Sequence, residues 1–333
     1  MTGYIVGQPV SESAVVTNHY PNNYALALAD TDNETNPANM IYVQVPPDSR
    51  AEFGLKSNPN LKGSRIMVTG TLTAYFSHTG LTNAAAMKKR ITSPPIQEND
   101  PVLTPYYKDA FGKTGKDLKS SLHNIIDDHN MLTYSEVWQA LKFTDQDPHN
   151  QDHVILFYSG KSVEKRANGA EDTNWNREHI WAKSHGNFGT SNGPGTDLHH
   201  LRPTDVSINK SRGNLDFDMG GSPNPEAPDN YFDYDSWEPR DSVKGDVARM
   251  LFYMAVRYEG DNGEVDLELN NKVRNGSAPF MGRLSVLLAW NKADPVDEFE
   301  RERNERIHSR YQHNRNPFID HPEWAEAIWE YKK

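Results

Sequence analysis

Cysteine is absent from all 333 residues. Disulfides and thiolate metal sites are therefore excluded, and any metal must be held by nitrogen or oxygen. The compartment stays open, because a secreted chain can do without disulfides. Long apolar runs are missing too. No stretch approaches the roughly 18 apolar residues of a membrane span, so no membrane partner is expected. Nor is there a basic and apolar leader: Met1-Thr2-Gly3-Tyr4 passes at once into a strand-like run. No internal repeat is found. Positive charge is in short supply, with 35 Lys/Arg against 46 Asp/Glu and a net −11. That balance is unusual for a protein that grips nucleic acid.

The charge is unevenly spread. Residues 1–90 hold seven Lys/Arg and six Asp/Glu, so the acidity resides in the remainder. Within that acidic remainder, 175–215 carries five cations (Arg177, Lys183, Arg202, Lys210, Arg212) against three acids (Glu178, Asp197, Asp205). A cationic segment in an acidic body predicts a site for something anionic; chance unevenness is the plain alternative.

Residues 3–82 read as β. Tyr4–Val10, Tyr24–Asp30, Met40–Val45 and Arg65–Phe76 are short runs rich in Val, Ile, Tyr and Thr, parted by Asn, Asp, Pro and Gly. With a short helix at Ala51–Leu55 they suggest a compact barrel of OB type. Tyr75, Phe76 and Lys88-Lys89-Arg90 are candidates to stack on and steer a single strand, against the plainer reading of core aromatics and solvated charge. Asn83–Pro105 is aperiodic and reads as the linker region, with the first domain taken as 1–90 and the linker proper as 91–105. From Tyr106 the pattern is helical. Helices are predicted over Lys116–His129, from a Thr133/Glu136 capping box to Phe143, and over Val243–Tyr258, Arg283–Trp290, Asp297–Ile307 and Pro322–Tyr331. His153–Tyr158 reads as a buried strand. Phe217–Pro239 reads as an acidic solvated loop without EF-hand spacing. Arg249, Tyr253 and Arg257 share a helix face, available to phosphate or to surface ion pairs.

The chemistry gathers between Asn174 and Asn214. In a strand, Glu178 and His179 would face opposite ways, so for both to serve one site the strand must bend or end there. After the loop Gly186–Gly195, Leu198–Leu201 reads as a second strand. Pro203 stops it, Thr204 caps a helix, Asp205 lies in its first turn and Gly213 ends it. Asn209 sits inside that helix, where propensity disfavours it, so its side chain is a candidate for use. A carboxylate and an amide oxygen are hard donors that suit Mg2+ with water in the other positions. His179 then has the natural role of base towards a water attacking phosphorus. His199 and His200 suggest zinc at first sight, but adjacent strand residues seldom ligate one ion together. One is expected to pack behind the site and the other to face the groove. Asp197 orients a histidine or closes a turn. His185 reads as a loop histidine, and Trp175 and Trp181 as core.

These residues resemble a known family. Asn176-Arg-Glu-His179, Asp197-Leu-His-His-Leu-Arg-Pro203 and Ile208-Asn-Lys-Ser-Arg-Gly-Asn214 look like the endonuclease I family, non-specific bacterial nucleases of the His-Me finger (ββα-metal) type. The likeness runs from about Tyr106 to Trp329 and is nearest to secreted nucleases of Bacillus-like bacteria. Gly3–Thr82 is similar to an OB-like domain that precedes some of them. The resemblance implies an α+β chain: an N-terminal all-β OB-like barrel (1–90), a candidate nucleic-acid-binding module, then a mainly helical catalytic domain (106–333) around a central ββα-metal motif. It implies a secreted, monomeric, Mg2+-dependent enzyme, with Mn2+ able to substitute. Such an enzyme cleaves DNA and also RNA without sequence preference, leaving 5′-phosphate and 3′-hydroxyl ends. His179 matches the general base, and Glu178 and Asn209 match the metal ligands. Arg212 and Asn214 match the helix-end residues, Arg212 as a phosphate holder or a structural cap. Arg202 is a candidate for transition-state charge, and Arg177, Lys183, His199 and Asn214 for substrate binding. Other members place a phosphate-binding arginine in the loop after the histidine. Gly186–Gly195 has none, so Lys183 or Arg202 would substitute. Two alternatives stand beside this reading: a zinc-dependent phosphoesterase using His199 and His200, and a non-catalytic nucleic-acid-binding protein.

Overall fold

A computed structural model describes residues 2–31, 34–90 and 103–330. The chain divides into two compact units, Met1–Ser93 and Pro94–Lys333.

The first unit is a sheet whose pairings close on themselves. Its strands are β1 (Thr2–Ser11), β2 (Ala14–Val16), β3 (Ala25–Ala29), β4 (Ile41–Gln44), β5 (Arg65–Tyr75) and β6 (His78–Arg90). They pair in the order β2-β1-β3-β4-β6-β5, and β5 returns to β1. The β4–β6 contact is parallel and the other pairings are antiparallel. A one-turn helix, α1 (Arg50–Phe53), joins β4 to β5. β3 explains the ring. Its Ala-Leu-Ala-Leu-Ala run is buried on both faces, and the period-2 pleat sorts the leucines into one cluster and two of the alanines into another. Leu26 and Leu28 meet Ile5, Val43, Ile66 and Val68, while Ala27 and Ala29 meet Val6, Met40 and Tyr42.

Two expectations are corrected here. Residues 83–90 are not linker but the second half of β6, paired through Arg65↔Arg90. Its Asn-Ala-Ala-Ala run has poor β propensity, and the pairing with β5 overrides that. Of the expected linker, 91–102 lies outside the described residues, and Leu103–Tyr106 forms a short helix, α2. The side chains of Lys88, Lys89 and Arg90 also lie outside the described residues.

The second unit continues with α3 (Gly115–Ile126), α4 (Glu136–Thr144), β7 (Gln146–Asp147), β8 (Asn150–Ile155), β9 (Ser162–Glu164), β10 (Trp175–His179), β11 (Leu201–Asp205) and α5 (Val206–Arg212). Four very short strands follow, β12 (Asp216–Phe217), β13 (Ser222–Pro223), β14 (Tyr231–Phe232) and β15 (Ser236–Glu238), forming one small sheet where an acidic loop was expected. Then come α6 (Lys244–Arg257), β16 (Glu268–Leu269), β17 (Phe280–Met281), α7 (Leu284–Ala293), α8 (Glu298–Arg310), α9 (Pro317–Asp320) and α10 (Trp324–Trp329). Thr133 and Glu136 form the predicted reciprocal bonds, Thr133 N to Glu136 Oε2 at 2.7 Å and Glu136 N to Thr133 Oγ1 at 3.3 Å.

α6 organises this unit because it is buried nearly all round. Val247, Leu251 and Met254 enter the apolar core. Its polar face is a further correction: Arg249, Tyr253 and Arg257 are interior, not surface. The Arg249 guanidinium grips Glu300 of α8 by two bonds of 2.8 and 2.6 Å. Arg257 pairs with Asp127 and Glu264, each at 2.8 Å. A helix buried on every side must carry its charges inward, and they persist there only when fully paired.

Candidate active site

Strand, strand and helix come together as β10, β11 and α5. β10 and β11 pair antiparallel with Glu178↔Arg202 and His179↔Leu201 in register. β10 ends at His179, so the pleat no longer forces residue 179 away from 178. The second strand lies three residues later than expected. Leu198–His200 turn instead, with His200 N and Leu201 N both reaching Asp197 O. The cause is the buried Asp197 side chain. It accepts from Tyr253 Oη (2.8 Å), Tyr258 Oη (2.9 Å), His199 N (2.9 Å) and Gln312 Nε2 (3.0 Å), which fixes the turn from within. Pro203 therefore sits inside β11, tolerated because this sheet has only two strands and both are edges. The helix cap is Asp205, not Thr204, and its carboxylate is spent on Ser159 Oγ at 2.6 Å. Gly213 ends α5 with φ 57°, the left-handed value that glycine adopts without strain.

One groove of about 480 Å³ receives the products of this turn. Glu178, His179 and Asn209 line it, with Arg177, Lys183 and Asn214. His179 is 6% exposed, and its Nε2 lies 3.0 Å from the Gly195 carbonyl oxygen. A carbonyl can only accept, so Nε2 carries the proton and Nδ1 keeps its lone pair. Burial, reinforced by His200, pushes this imidazole down to about 3, which keeps it neutral across the physiological range. Glu178 accepts from Tyr158 Oη at 2.9 Å and lies 3.2 Å from Arg212 Nη1, both at Oε1. Burial nevertheless pushes its carboxyl up, against the pull of Arg212 and Tyr158. Asn209 Nδ2 donates to Asn176 Oδ1 at 2.8 Å, which leaves the amide oxygen as the atom available to a cation. Lys183 is exposed on the rim.

Three expected site residues do not face this groove. Arg202 is 3% exposed and held by Asp145 at 2.6 Å and Asp246 at 3.3 Å, with Phe157 against its guanidinium. It stabilises packing and has no path to a substrate. His199 packs on Tyr253 and turns Nε2 towards Asn314 Oδ1 at 3.2 Å. His200 is the one behind the site, between Trp181 N and the Pro194 carbonyl. Neither histidine faces outward, and their nitrogens do not converge. Arg212 is buried as well, and donates to the His179 and Ile180 carbonyls at 3.0 and 2.8 Å. It holds the strand end and Glu178 together from beneath, the structural half of the expectation. Arg177 does line the groove, but its guanidinium is clamped between the Tyr134 and Trp138 rings at 3.4 and 4.1 Å and bonded to Tyr134 O.

Reading the sequence missed Tyr134, Asn176, Ser184 and Tyr158. Asn176 could have been found, since it lies two strand positions before Glu178 and shares its face. The two tyrosines arrive from distant segments and left no local signal. His185 is less incidental than a loop histidine: it is buried, with Nδ1 2.7 Å from Phe280 O and Nε2 2.9 Å from Asn214 O. A separate set of donors, His123, Asp127 and Asp261, lies within 4.8 Å of one another. Arg257 already neutralises Asp127 there, and His123 Nδ1 faces Val256 O.

Comparison with known proteins agrees on one grouping. Residues 114–323 match the family model described as Endonuclease I, and residues 1–90 match a domain of unknown function (DUF6359). The chain is 68% identical over 224 residues to an extracellular ribonuclease of Bacillus subtilis (strain 168), covering 67% of this chain and 78% of that protein. It is 65% identical over 239 residues to an extracellular ribonuclease of Bacillus amyloliquefaciens, covering 70% and 83%. An extracellular deoxyribonuclease of Aeromonas hydrophila is 25% identical over 209 residues, covering 51% and 83%.

Proposed function

The chain belongs to the endonuclease I family and is a nuclease; from that premise we propose a secreted, sequence-non-specific endonuclease that works with Mg2+, or Mn2+ in its place, through the groove at His179. The observation that carries the reading is convergence: one imidazole with a free Nδ1 and two hard oxygen donors, Glu178 and Asn209, line a single concavity. Two protein oxygens with water for the rest is a set suited to Mg2+. Burial disfavours the charged Glu178 carboxylate despite Arg212, and a cation held there would offset that penalty. When bound, such a cation stabilises the charge that builds on the phosphate and the leaving oxygen.

The chain's own groups supply the rest. His179 Nδ1 takes a proton from the water that attacks phosphorus, and the Gly195 carbonyl holds the ring in the tautomer for that task. Arg212 fixes the backbone at 179 and 180 and steadies Glu178. Lys183 meets the substrate phosphate from the rim, the part left open by a loop without arginine; Asn214 also lines the groove. The expected products carry a 5′-phosphate and a 3′-hydroxyl. The names of the relatives favour RNA for the Bacillus-like branch and leave DNA as a second substrate. We read β10-β11-α5 as a His-Me finger, and the first unit as OB-like, on the closed order β1-β3-β4-β6-β5 with a helix between β4 and β5. Its exposed Tyr24 and Phe76 make it a candidate nucleic-acid binder. The test is plasmid nicking and RNA cleavage after chelation and metal return. Activity restored by Mg2+ and lost in His179→Ala is expected. Restoration by Zn2+ alone, or full activity in the variant, would refute the assignment.

A further inference from the structure

Asn214 belongs to more than the groove at His179. That residue also lines a second concavity of about 290 Å³, together with His185, Tyr234, Asp235 and Arg274. Tyr234 stands at the tip of the turn between β14 and β15 and is 78% exposed. A ring so bare contributes nothing to the core, yet its seat is firm. Asp233 Oδ1 accepts from Asp235 N (3.1 Å), Ser236 N (2.9 Å) and Ser236 Oγ (3.1 Å), which locks the turn beneath the ring. The Arg274 guanidinium lies 5.3 Å from the ring centroid. Its backbone has φ 65°, a conformation that an arginine keeps only when its surroundings impose it. Asp216, also in this concavity, is already satisfied by N–H groups of Asn275 and Gly282. Asp235 adds a second carboxylate. Two acids make the concavity a poor seat for phosphate. A flat, rigid aromatic with a cation at its side is a good seat for a base.

We propose that Tyr234, flanked by Arg274, is a base-stacking subsite for the nucleotide next to the cleaved phosphodiester, and that the enzyme prefers unpaired strands for this reason. The inference rests on the His179 groove being the catalytic centre. A base within a duplex is stacked on both faces and reaches Tyr234 only after being drawn out, at a cost that a single strand escapes. Stacking on a fixed ring is tolerant of sequence, because every base has a flat face. Substrate preference is thereby set by strand state and not by base identity.

The test uses the full chain, with Tyr234→Ala and Tyr234→Phe, on one labelled oligonucleotide offered as a single strand and as a duplex. For the single strand, Tyr234→Ala is expected to raise KM roughly tenfold with kcat within about twofold. Tyr234→Phe, which keeps the ring, restores the KM. The duplex KM moves less than about twofold in either variant. An unchanged KM in Tyr234→Ala, a Phe variant as impaired as Ala, or an equal effect on duplex overturns the subsite. A parallel measurement separates this from failure of the groove assignment. In a His179→Ala background, fluorescence anisotropy reads single-strand affinity with and without Tyr234→Ala. If His179→Ala cleaves like wild type, the groove assignment fails. If it is inactive and affinity does not fall on removing the ring, only the subsite fails.

Discussion

The two units are built on opposite principles. Among the described residues of the first unit, Gln8 is the one buried polar side chain, and the core is Ile, Leu, Val, Ala and a few aromatics. The second unit buries Arg202, Arg212, Arg249, Arg257 and Arg303 with their acids, and His179, His185, His199 and His200 beside them. An apolar core tolerates exchange of one methylene for another at modest cost. A charged interior tolerates nothing that leaves one partner alone. The second design is demanding, and two of its members, Arg212 and His200, lie directly behind the groove. Arg212, which ties the end of β10 to α5, also fixes the pose of Glu178. Exactness of the site and fragility of the core have one cause.

The contrast predicts effects of different kinds and sizes. The largest is chemical. His179→Ala should lower the cleavage rate by about 10²- to 10⁴-fold, the range of a lost general base, while circular dichroism shows the chain still folded. Leu26→Ala, in the first core, should do the reverse: cost about 2–5 kcal/mol of stability and leave kcat nearly unchanged. If Leu26→Ala abolishes cleavage while the second unit stays folded, activity is not confined to the second unit and the comparison breaks.

Next in size is the buried pair of Arg249 and Glu300. Arg249→Ala strands a carboxylate that two bonds now satisfy, and should cost about 3–5 kcal/mol. Replacing both, as Arg249→Met with Glu300→Leu, should recover most of that loss. All seven tryptophans lie in the second unit, so tryptophan fluorescence follows this core alone, and circular dichroism follows both. A loss in the double variant as deep as in Arg249→Ala would mean that volume and not charge governs the site.

Acid should divide the units as well. Burial pushes His199 and His200 each down to about 4, Asp197 pulling against it. The unfolded chain binds a proton at the usual imidazole value near 6.5, and the folded one does not until about pH 4. Stability is therefore fully present above pH 6.5 and is lost as pH falls towards 4. By pH 5 the loss is of the order of 2 kcal/mol for each imidazole. Fluorescence-detected urea midpoints of the second unit should drop between pH 7 and pH 5. A His200→Gln chain should show a shallower drop over the same interval. Equal slopes in the two chains would remove the buried histidines from the explanation.

This contrast also explains what could be read from residues alone. In the first unit, runs of Val, Ile, Tyr and Thr parted by turn residues located β1, β3, β4 and β5, because an apolar core draws on the residues that favour strands. β6 was lost where Asn83 and three alanines mask it, and β2 because three residues are too few to show a period. In the second unit, the helices and the Glu178-His179-Asn209 set were legible from order and spacing. Arg202, His199, Arg249 and Arg257 were misplaced outward for one reason: polarity signals the surface unless a partner is known, and each has a partner far off in sequence, 57 positions away in Asp145, 115 in Asn314, 51 in Glu300 and 128 in His129 respectively. The second strand was misregistered for the same reason, since Tyr253, Tyr258 and Gln312 hold Asp197 from remote segments.

The smallest predicted effect is the control that separates burial from charge. Lys210 and Asp172 approach to 2.5 Å, closer than most buried pairs in this unit, but their side chains are 64% and 71% exposed. Water screens the attraction, and holding the long lysine side chain in one geometry costs rotamer freedom. Lys210→Ala should therefore change stability by less than about 1 kcal/mol, and salt should erase even that. Paired with Arg249→Ala, it compares one cation removed from water with one removed from the interior. Similar costs in the two variants would mean that the second unit is merely rich in ion pairs. A wide gap, persisting at high salt, locates its distinctive energetics in its dry charges, where no solvent can replace a missing partner.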